Sequence, residues 1–312
     1  MSPTRVSVVI ATNRGGPYLR EAIDSVNAQT TPVREVVVVD DGSPHPAELG
    51  AIGADLGVRV LRQPSRGVSA ARNYGARHTT GDWIAFLDDD DVWHPERIAA
   101  QLEAVDADPD AIACGAGIWI IDRHGEATGT SWGLPASDRC DMLRGAAPLP
   151  HVATLLVRRD VFADLGGFDP SFSHSEDIEL MLRLLQVGRF AAVDRPLIAY
   201  RRHDSNTSGG PQDVSGQFRA LRHQIRQSAR RGDAVAAGLL RENRARFRAA
   251  IADGAAASVL AGLRRGRWRR SAADMSRGLR WAPVAFTRAT ARRATRFVTR
   301  GPRSSEQAPD RG

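Results

Sequence analysis

Short apolar runs rich in valine and isoleucine alternate with amphipathic segments along the first hundred residues. Four such runs are each followed by polar or turn-forming residues, which is typical of buried strands. They cover residues 5–11, 35–39, 58–61 and 83–87. Residues 18–29 and 69–78, which lie between runs, are predicted as helices, the first from the spacing of its apolar positions. This alternation predicts an α/β fold with a mostly parallel, Rossmann-like sheet and flanking helices.

The pattern changes after residue 109. Strands are predicted at residues 111–121 and 152–157, and helices at 159–165 and 176–187. Gly209-Gly210-Pro211 interrupts the chain, and the sequence beyond it is rich in alanine and arginine with helical character. We therefore expect an α/β domain over residues 1–210 with halves 1–109 and 110–210, an Arg-rich helical extension over 211–300, and a disordered tail over 301–312.

Polar side chains follow three of the predicted strands. They are Thr12-Asn13, Asp40-Asp41 and the run Asp88-Asp89-Asp90-Asp91. In open α/β sheets, ligands bind beyond the carboxyl ends of the strands, so these groups are expected on one rim. Four adjacent carboxylates repel one another unless a cation or solvent relieves them, and hard divalent cations prefer carboxylate oxygen. The alternatives are an acidic surface loop or helix start for the run, and a plain turn for Asp40-Asp41.

Charge is distributed unevenly, and all 43 basic residues are arginine. Residues 211–312 hold 23 arginines against seven carboxylates, whereas residues 1–210 hold 20 against 29. A basic segment with aromatic residues, here 260–300, suits an anionic membrane surface. Homodimer formation and ordinary packing are alternatives. Nucleic acid is not expected as a partner because no binding module is recognisable.

The chain carries no signal-peptide pattern at its start and no stretch of about 18 uncharged apolar residues. We therefore expect a cytoplasmic protein. The basic C-terminal segment makes peripheral attachment to the inner face of the cell membrane a further hypothesis.

Six segments form an ordered set. They read VVIATN at residues 8–13, VVDDGS at 38–43, RGVSAARNYG at 66–75, AFLDDDDVW at 85–93, GGFD at 166–169 and SEDIEL at 175–180. In this order they resemble the family 2 glycosyltransferases over roughly residues 5–205. The resemblance implies a GT-A fold, a nucleoside-diphosphate sugar donor (UDP-, dTDP- or GDP-linked), Mn²⁺ or Mg²⁺, and inversion at the anomeric carbon. Residues 1–109 would then bind the nucleotide sugar and residues 110–210 the acceptor.

The resemblance also implies roles for individual residues on the donor side. Thr12 and Asp41 would contact the base and ribose, and Asp88 and Asp89 would hold ribose or metal. Asp90 is expected as the direct metal ligand, with His203 near the diphosphate or metal. The remaining candidates for donor binding are Asn13, Arg14, Arg66 and Arg72, of which the last two would reach the diphosphate or else form surface salt bridges.

Asp177 corresponds to the general base of the family, which takes the proton of the acceptor hydroxyl as it attacks. From the residues alone, Glu176-Asp177 after Ser175 also fits the acidic first turn of a capped helix. Glu176, His151 and Trp132 are expected on the acceptor side.

The segment after Asp177 reads Met181-Leu182-Arg183-Leu184-Leu185 and lacks the Gln-x-x-Arg-Trp motif of processive relatives. We therefore expect transfer of one sugar at a time to a hydroxyl acceptor, such as a glycolipid, polysaccharide or other glycoconjugate, with a lipid-linked acceptor as one option. A nucleotidyltransferase of related fold and a catalytically silent sugar- or lipid-binding scaffold are the alternatives.

Overall fold

The computed structural model describes residues 6–204, 206, 211–265 and 268–299. The described residues form two compact units, with the division after Arg241. The strands are β1 (Val6–Thr12), β2 (Glu35–Asp41), β3 (Arg59–Gln63), β4 (Trp83–Asp88), β5 (Val92–Trp93), β6 (Ala111–Ile121), β7 (Ala127–Trp132), β8 (Leu156–Arg158) and β9 (Arg189–Arg201). The helices are α1 (Pro17–Asn27), α2 (Pro46–Leu56), α3 (Val68–Arg77), α4 (Arg97–Ala107), α5 (Arg139–Leu143), α6 (Arg159–Asp164), α7 (Glu176–Val187), α8 (Pro211–Arg230), α9 (Ala234–Arg264), α10 (Trp268–Trp281) and α11 (Pro283–Thr299).

Within the described residues, all nine strands join one sheet in the order β3-β2-β1-β4-β8-β6-β9-β5, with β7 paired to β6. The block β3-β2-β1-β4 is parallel throughout. Strand β8 pairs antiparallel with β4 and β6, whereas β6 and β9 run parallel. The predicted α/β class and the parallel block of the first half are confirmed.

Strand β1 is buried on both faces, which explains its unbroken apolar sequence. Because successive side chains point to opposite faces, Val8 and Ile10 join the apolar cluster that contains Leu19 of α1. On the other face, Gly75 of α3 lies against Val9. Burial on both sides fixes β1 at the centre and sets where its polar end, Thr12, lies.

One of the strands predicted in the second half begins later than expected. Residues 152–154 were expected in a strand but form a 3₁₀ turn, and the strand follows at Leu156–Arg158. The His151 ring accepts a hydrogen bond from the Ala153 amide (3.2 Å), and the Thr154 hydroxyl donates to the His151 carbonyl (2.8 Å). These local hydrogen bonds compete with sheet pairing.

Helix α8 belongs to the first compact unit, which extends to Arg241. The breaker at 209–211 suggested a boundary there, but three side-chain hydrogen bonds tie α8 to α7. Gln186 donates to Gln224 (2.8 Å), Gln224 donates to Glu179 (2.7 Å), and Ser228 donates to Gln186 (2.6 Å). The expected disordered tail at 301–312 and residues 209–210 lie outside the described residues.

The second unit has a small apolar core of its own. Phe286 and Ala289 of α11 pack with Ala252, Ala256 and Val259 of α9. Of the helices that the structure describes, none combines the length and apolar character that a membrane-spanning segment requires.

We predict that Gly75→Ala destabilises the protein, whereas Gly50→Ala does not. A Cβ at residue 75 would lie 2.5 Å from Val9 Cγ1, so α3 would have to move off the sheet. Gly50, on the exposed side of α2, has no atom within 4 Å of such a Cβ. Overpacking at residue 75 should lower the free energy of unfolding by about 1–3 kcal/mol. An unstrained Gly→Ala change, as at residue 50, should raise it by roughly 0.5–1 kcal/mol.

Urea unfolding of both variants, followed by tryptophan fluorescence, measures the difference in unfolding free energy. Equal midpoints for the two variants would contradict the close packing of α3 on β1.

Candidate active site

The ends of β1, β2 and β4 open into one cleft of about 810 Å³. Thr12, Asp41 and Asp88 stand at these three ends, as the parallel arrangement requires. The cleft also reaches the start of α7 and one residue of α8. Its further lining residues include Asn13, Arg14, Arg72, Asp89, Asp90, His151, Ser173, His174, Ser175, Glu176, Asp177, Tyr200, Asn206 and Gln217.

Asp41 anchors the loop that follows β3. One carboxylate oxygen accepts hydrogen bonds from Gln63 Nε2 and the Arg66 amide, and the other accepts from the Gly67 amide, each at 2.8 Å. Gly42 follows with a positive φ of 76°, and a Cβ there would lie 2.6 Å from the Ser65 amide nitrogen. The DDGS sequence is therefore both a turn and a wall of the cleft.

Asp89 and Asp90 of the aspartate run share Arg14 but differ in their other partners. Asp89 accepts from the Thr12 hydroxyl (2.6 Å) and from Arg14 Nη2 (3.0 Å). Asp90 contacts the same Arg14 nitrogen (2.8 Å) and His203 Nε2 (2.9 Å).

Asp91 points away from the cleft. It is fully buried, and one of its oxygens accepts from the Arg201 amide at 3.0 Å. The other oxygen has no hydrogen-bond partner in the described part of the chain. Burial raises the pKa of Asp91 well above the ordinary value, and the charges of Asp88 and Asp90 raise it further. The register of the run thus places its first three carboxylates, and not the fourth, on the cleft.

Arg72 joins the two walls of the cleft. Its side chain is 5% exposed, and its guanidinium donates to Asp88 (2.5 Å) and to Glu176 (3.0 Å). Burial would raise the pKa of Asp88, but the charges of Arg72 and His151 and the Arg72 hydrogen bond hold it below its usual value. Arg72 was expected near a diphosphate. The structure shows its charge shared between two carboxylates.

Helix α7 carries the opposite wall. It starts after Ser175, which has a positive φ of 62° and is the one non-glycine residue of this kind in the described ranges. Asp177 in the first turn lines the cleft, and its carboxylate accepts from the Ile178 amide (2.7 Å). Burial, with the neighbouring Asp177 charge, raises the pKa of Glu176 although Arg72 acts in the opposite direction.

Three predicted site residues do not line the cleft. His203 lies beside Asp90 (2.9 Å), and the other two are Trp132 and Arg66. Trp132, on the exposed strand β7, is 51% exposed and is not among the residues that line the cleft. The Arg66 side chain is exposed, and the residue contributes its backbone amide to Asp41. The cleft is also lined by three residues that were not predicted: Tyr200, Asn206 and Gln217. Isolated polar residues at a strand end, in a loop or on an amphipathic helix give no recognisable sequence signal.

The acidic side chains at the cleft are suitable ligands for a hard divalent cation. Asp88 and Asp90 have side chains 28% and 14% exposed, and His203 adds a nitrogen beside Asp90. A second group, Asp169, Glu179 and His223, brings its ligand atoms within 4.8 Å of one another. None of these three residues lines the cleft, and the Glu179 side chain is 1% exposed, so this second group lies away from the place where a nucleotide could bind.

Comparison with known proteins agrees with this arrangement. The model of the family described as Glycosyl transferase family 2 matches residues 7–166, about half of the chain. An uncharacterized glycosyltransferase of Rickettsia typhi is 28% identical over 223 residues, 69% of this chain and 70% of that protein. The pre-mycofactocin glycosyltransferase of Mycobacterium tuberculosis is 32% identical over 215 residues, which cover 65% of this chain and 43% of that protein. A Rickettsia felis relative is matched over 35% of its length.

Among solved structures, residues 1–349 of S. aureus TarS give a TM-score of 0.59 at 17% identity, covering 77% of this chain and 70% of that one. The same part of TarS in complex with UDP-GlcNAc gives 0.58 at 16% identity, with coverage of 77% and 72%. These likenesses establish the fold, and the expected GT-A architecture with a C-terminal helical part is confirmed. Because the family model spans half of the sequence and the named relatives are glycosyltransferases, this chain belongs to glycosyl transferase family 2.

Proposed function

We propose that this glycosyltransferase moves one sugar at a time from a nucleoside diphosphate to a hydroxyl group, with inversion at the anomeric carbon. The observation that carries the proposal is the two-walled cleft. Asp88, Asp89 and Asp90 stand on the sheet rim, and Asp177 stands on the helical wall. The TarS complex with UDP-GlcNAc supports a UDP-sugar donor, and dTDP- and GDP-sugars are the other candidates.

The donor side offers groups suited to a nucleotide diphosphate. Thr12, Asn13 and Asp41 line the part of the cleft where base and ribose would bind, and Arg14 provides positive charge for the phosphates. Asp90, with His203 and Asp88 beside it, would hold Mn²⁺ or Mg²⁺. Such a cation, when bound, supplies positive charge to the departing diphosphate.

On the acceptor side, Asp177 is the proposed general base. The acceptor oxygen attacks the anomeric carbon while Asp177 takes the hydroxyl proton, and the bond to the diphosphate oxygen breaks with its electron pair leaving on the diphosphate. Attack opposite to the leaving group inverts the configuration. Glu176 is held by Arg72 (3.0 Å), so we assign it a positioning role beside the base.

We also propose that the segment 260–299 contacts an anionic membrane surface, as peripheral attachment to a cytoplasmic leaflet would require. The segment contains 11 arginines and one carboxylate, Asp274, which is buried. Apolar side chains that are 39–63% exposed accompany this charge: Leu263, Met275, Leu279 and Val284. Anionic headgroups complement the arginines, and the exposed apolar groups suit the interface. The acceptor would then be a glycolipid or another glycoconjugate at that surface.

We predict that Asp90→Asn weakens Mn²⁺-dependent binding of the donor, whereas Asp91→Asn does not. Asp90 faces the cleft, while Asp91 is buried and points away from it. Loss of a direct ligand should weaken binding by at least the roughly tenfold seen for outer-shell partners. Titration calorimetry with UDP and Mn²⁺, repeated with chelator, measures the effect. Similar losses in both variants would contradict the assigned register.

Asp177→Asn is expected to lower kcat by about 100-fold or more, because general bases contribute roughly 10²–10⁴-fold. Donor affinity should stay unchanged, since Asp177 lies on the opposite wall. Transfer from a panel of UDP-, dTDP- and GDP-sugars measures kcat, with Asp106→Asn on the exposed face of α4 as control. Substantial turnover by Asp177→Asn would exclude this residue as the base.

The triple variant Arg265→Gln, Arg280→Gln, Arg288→Gln should bind anionic vesicles about 100-fold more weakly, since each arginine near such a surface contributes about 1 kcal/mol. All three side chains are exposed. Flotation with phosphatidylglycerol vesicles and with phosphatidylcholine vesicles measures binding. The matched control replaces Arg222, Arg226 and Arg230, which are exposed on α8. Equal binding by both triple variants would overturn the membrane proposal.

A further inference from the structure

Helix α8 lies outside the residues matched by the family model, yet it reaches the cleft. Gln217, in its second turn, lines the cleft together with Ser173, His174 and Asp177. The Gln217 carboxamide makes no hydrogen bond to another group in the described ranges, so its donor and its acceptor are both available to a ligand.

The position of Gln217 is fixed by a close approach one residue earlier. A Cβ at Gly216 would lie 2.7 Å from the His174 carbonyl oxygen and 2.7 Å from Ser175 Oγ. The absence of a side chain at Gly216 therefore lets α8 touch the start of α7, at the residue with the unusual positive φ. This contact lies two residues from Asp177.

Further contacts hold the same face of α8 against the loop before α7. The Arg219 guanidinium lies 4.1 Å from the centre of the Phe172 ring and donates to the Ser171 carbonyl. His223 packs edge-on against Phe172 at 5.8 Å. Together with the Gln224 hydrogen bond to Glu179, these contacts make α8 a fixed wall of the cleft.

Hydrogen-bonding side chains line the cleft near the contact between α8 and the start of α7. Besides Gln217 they include Ser173 and His174. A carboxamide both donates and accepts, which matches two neighbouring hydroxyl groups of a sugar ring. An acceptor with a single hydroxyl on an alkyl chain would leave part of the Gln217 carboxamide unsatisfied, at a cost in binding.

We propose that Gln217 is an acceptor-binding residue that favours hydroxyl-rich acceptors, and that Gly216 sets its distance from the catalytic wall. This inference rests on the proposed transfer to a hydroxyl acceptor. Beyond that proposal, it states that the acceptor carries several hydroxyl groups near Asp177. It also makes α8 part of the active site.

The test compares the wild-type chain with Gln217→Leu, which keeps the volume but removes the amide, and with Arg222→Ala, an exposed position on the same helix. Octyl glucoside, octyl galactoside and octanol serve as acceptors with the best nucleotide sugar and Mn²⁺, and donor hydrolysis by water is measured alongside. We expect the wild type to prefer the glycosides. Gln217→Leu should lower kcat/KM for the glycosides by about 3–10-fold through KM, with hydrolysis unchanged.

A wild type that uses octanol as well as the glycosides, or hydrolyses donor but uses neither glycoside, would overturn the inference and leave the proposed function standing. An unchanged KM in Gln217→Leu would do the same. A wild type that neither transfers nor hydrolyses any donor would contradict the proposed function itself.

Gly216→Ala should lower kcat for water and glycosides alike by displacing Ser175, and a wild-type kcat in this variant would refute the positioning role.

Discussion

Mutual repulsion of carboxylates is the constraint around which the cleft is organised. Asp88, Asp89 and Asp90 leave β4 in succession and remain within a partly buried space, where like charges interact more strongly than in water. Arg14 and His203 approach from one side, and Arg72 approaches from the other. Asp91 is fully buried, and its pKa is raised by burial although the nearby Arg201 charge acts in the opposite direction. This distribution leaves three acidic groups facing the cleft, where a cation and a diphosphate can be accommodated.

Arg72 also connects the two walls of the cleft, because it pairs with Asp88 on one and with Glu176 on the other. It projects from α3, and its neighbour Asn73 exchanges two hydrogen bonds with the backbone of Phe168 (2.7 and 2.8 Å). Phe168 lies under the Arg72 guanidinium at 5.2 Å. The RGVSAARNYG segment and the GGFD turn therefore meet in space, although about 95 residues separate them. This meeting holds Glu176, and with it the first turn of α7, opposite the aspartate rim.

The C-terminal helices belong to two different units of the chain. Helix α8 is tied to α7 through Gln186, Gln224 and Ser228 and belongs to the first unit. The later helices α10 and α11 lie in the second unit, where arginines far outnumber carboxylates. A composition shift after residue 210 thus marks the start of the helical region, while the packing places the change of unit after Arg241.

The sequence alone determined the strands of the first half, the polar groups at their ends and the family, because strands buried on both faces need unbroken apolar runs and parallel strands place their ends on one rim. Local pattern could not predict β9, a 13-residue strand broken in register near Pro196, because its pairing partners lie far away in the chain. That strand leads to His203 beside Asp90. The register of four identical aspartates, the double pairing of Arg72 and the approach of Gln217 also depended on tertiary contacts. These three features depend on which residues from distant parts of the chain lie beside the aspartates, Arg72 and Gln217. The spacing of residues along the sequence does not contain that information.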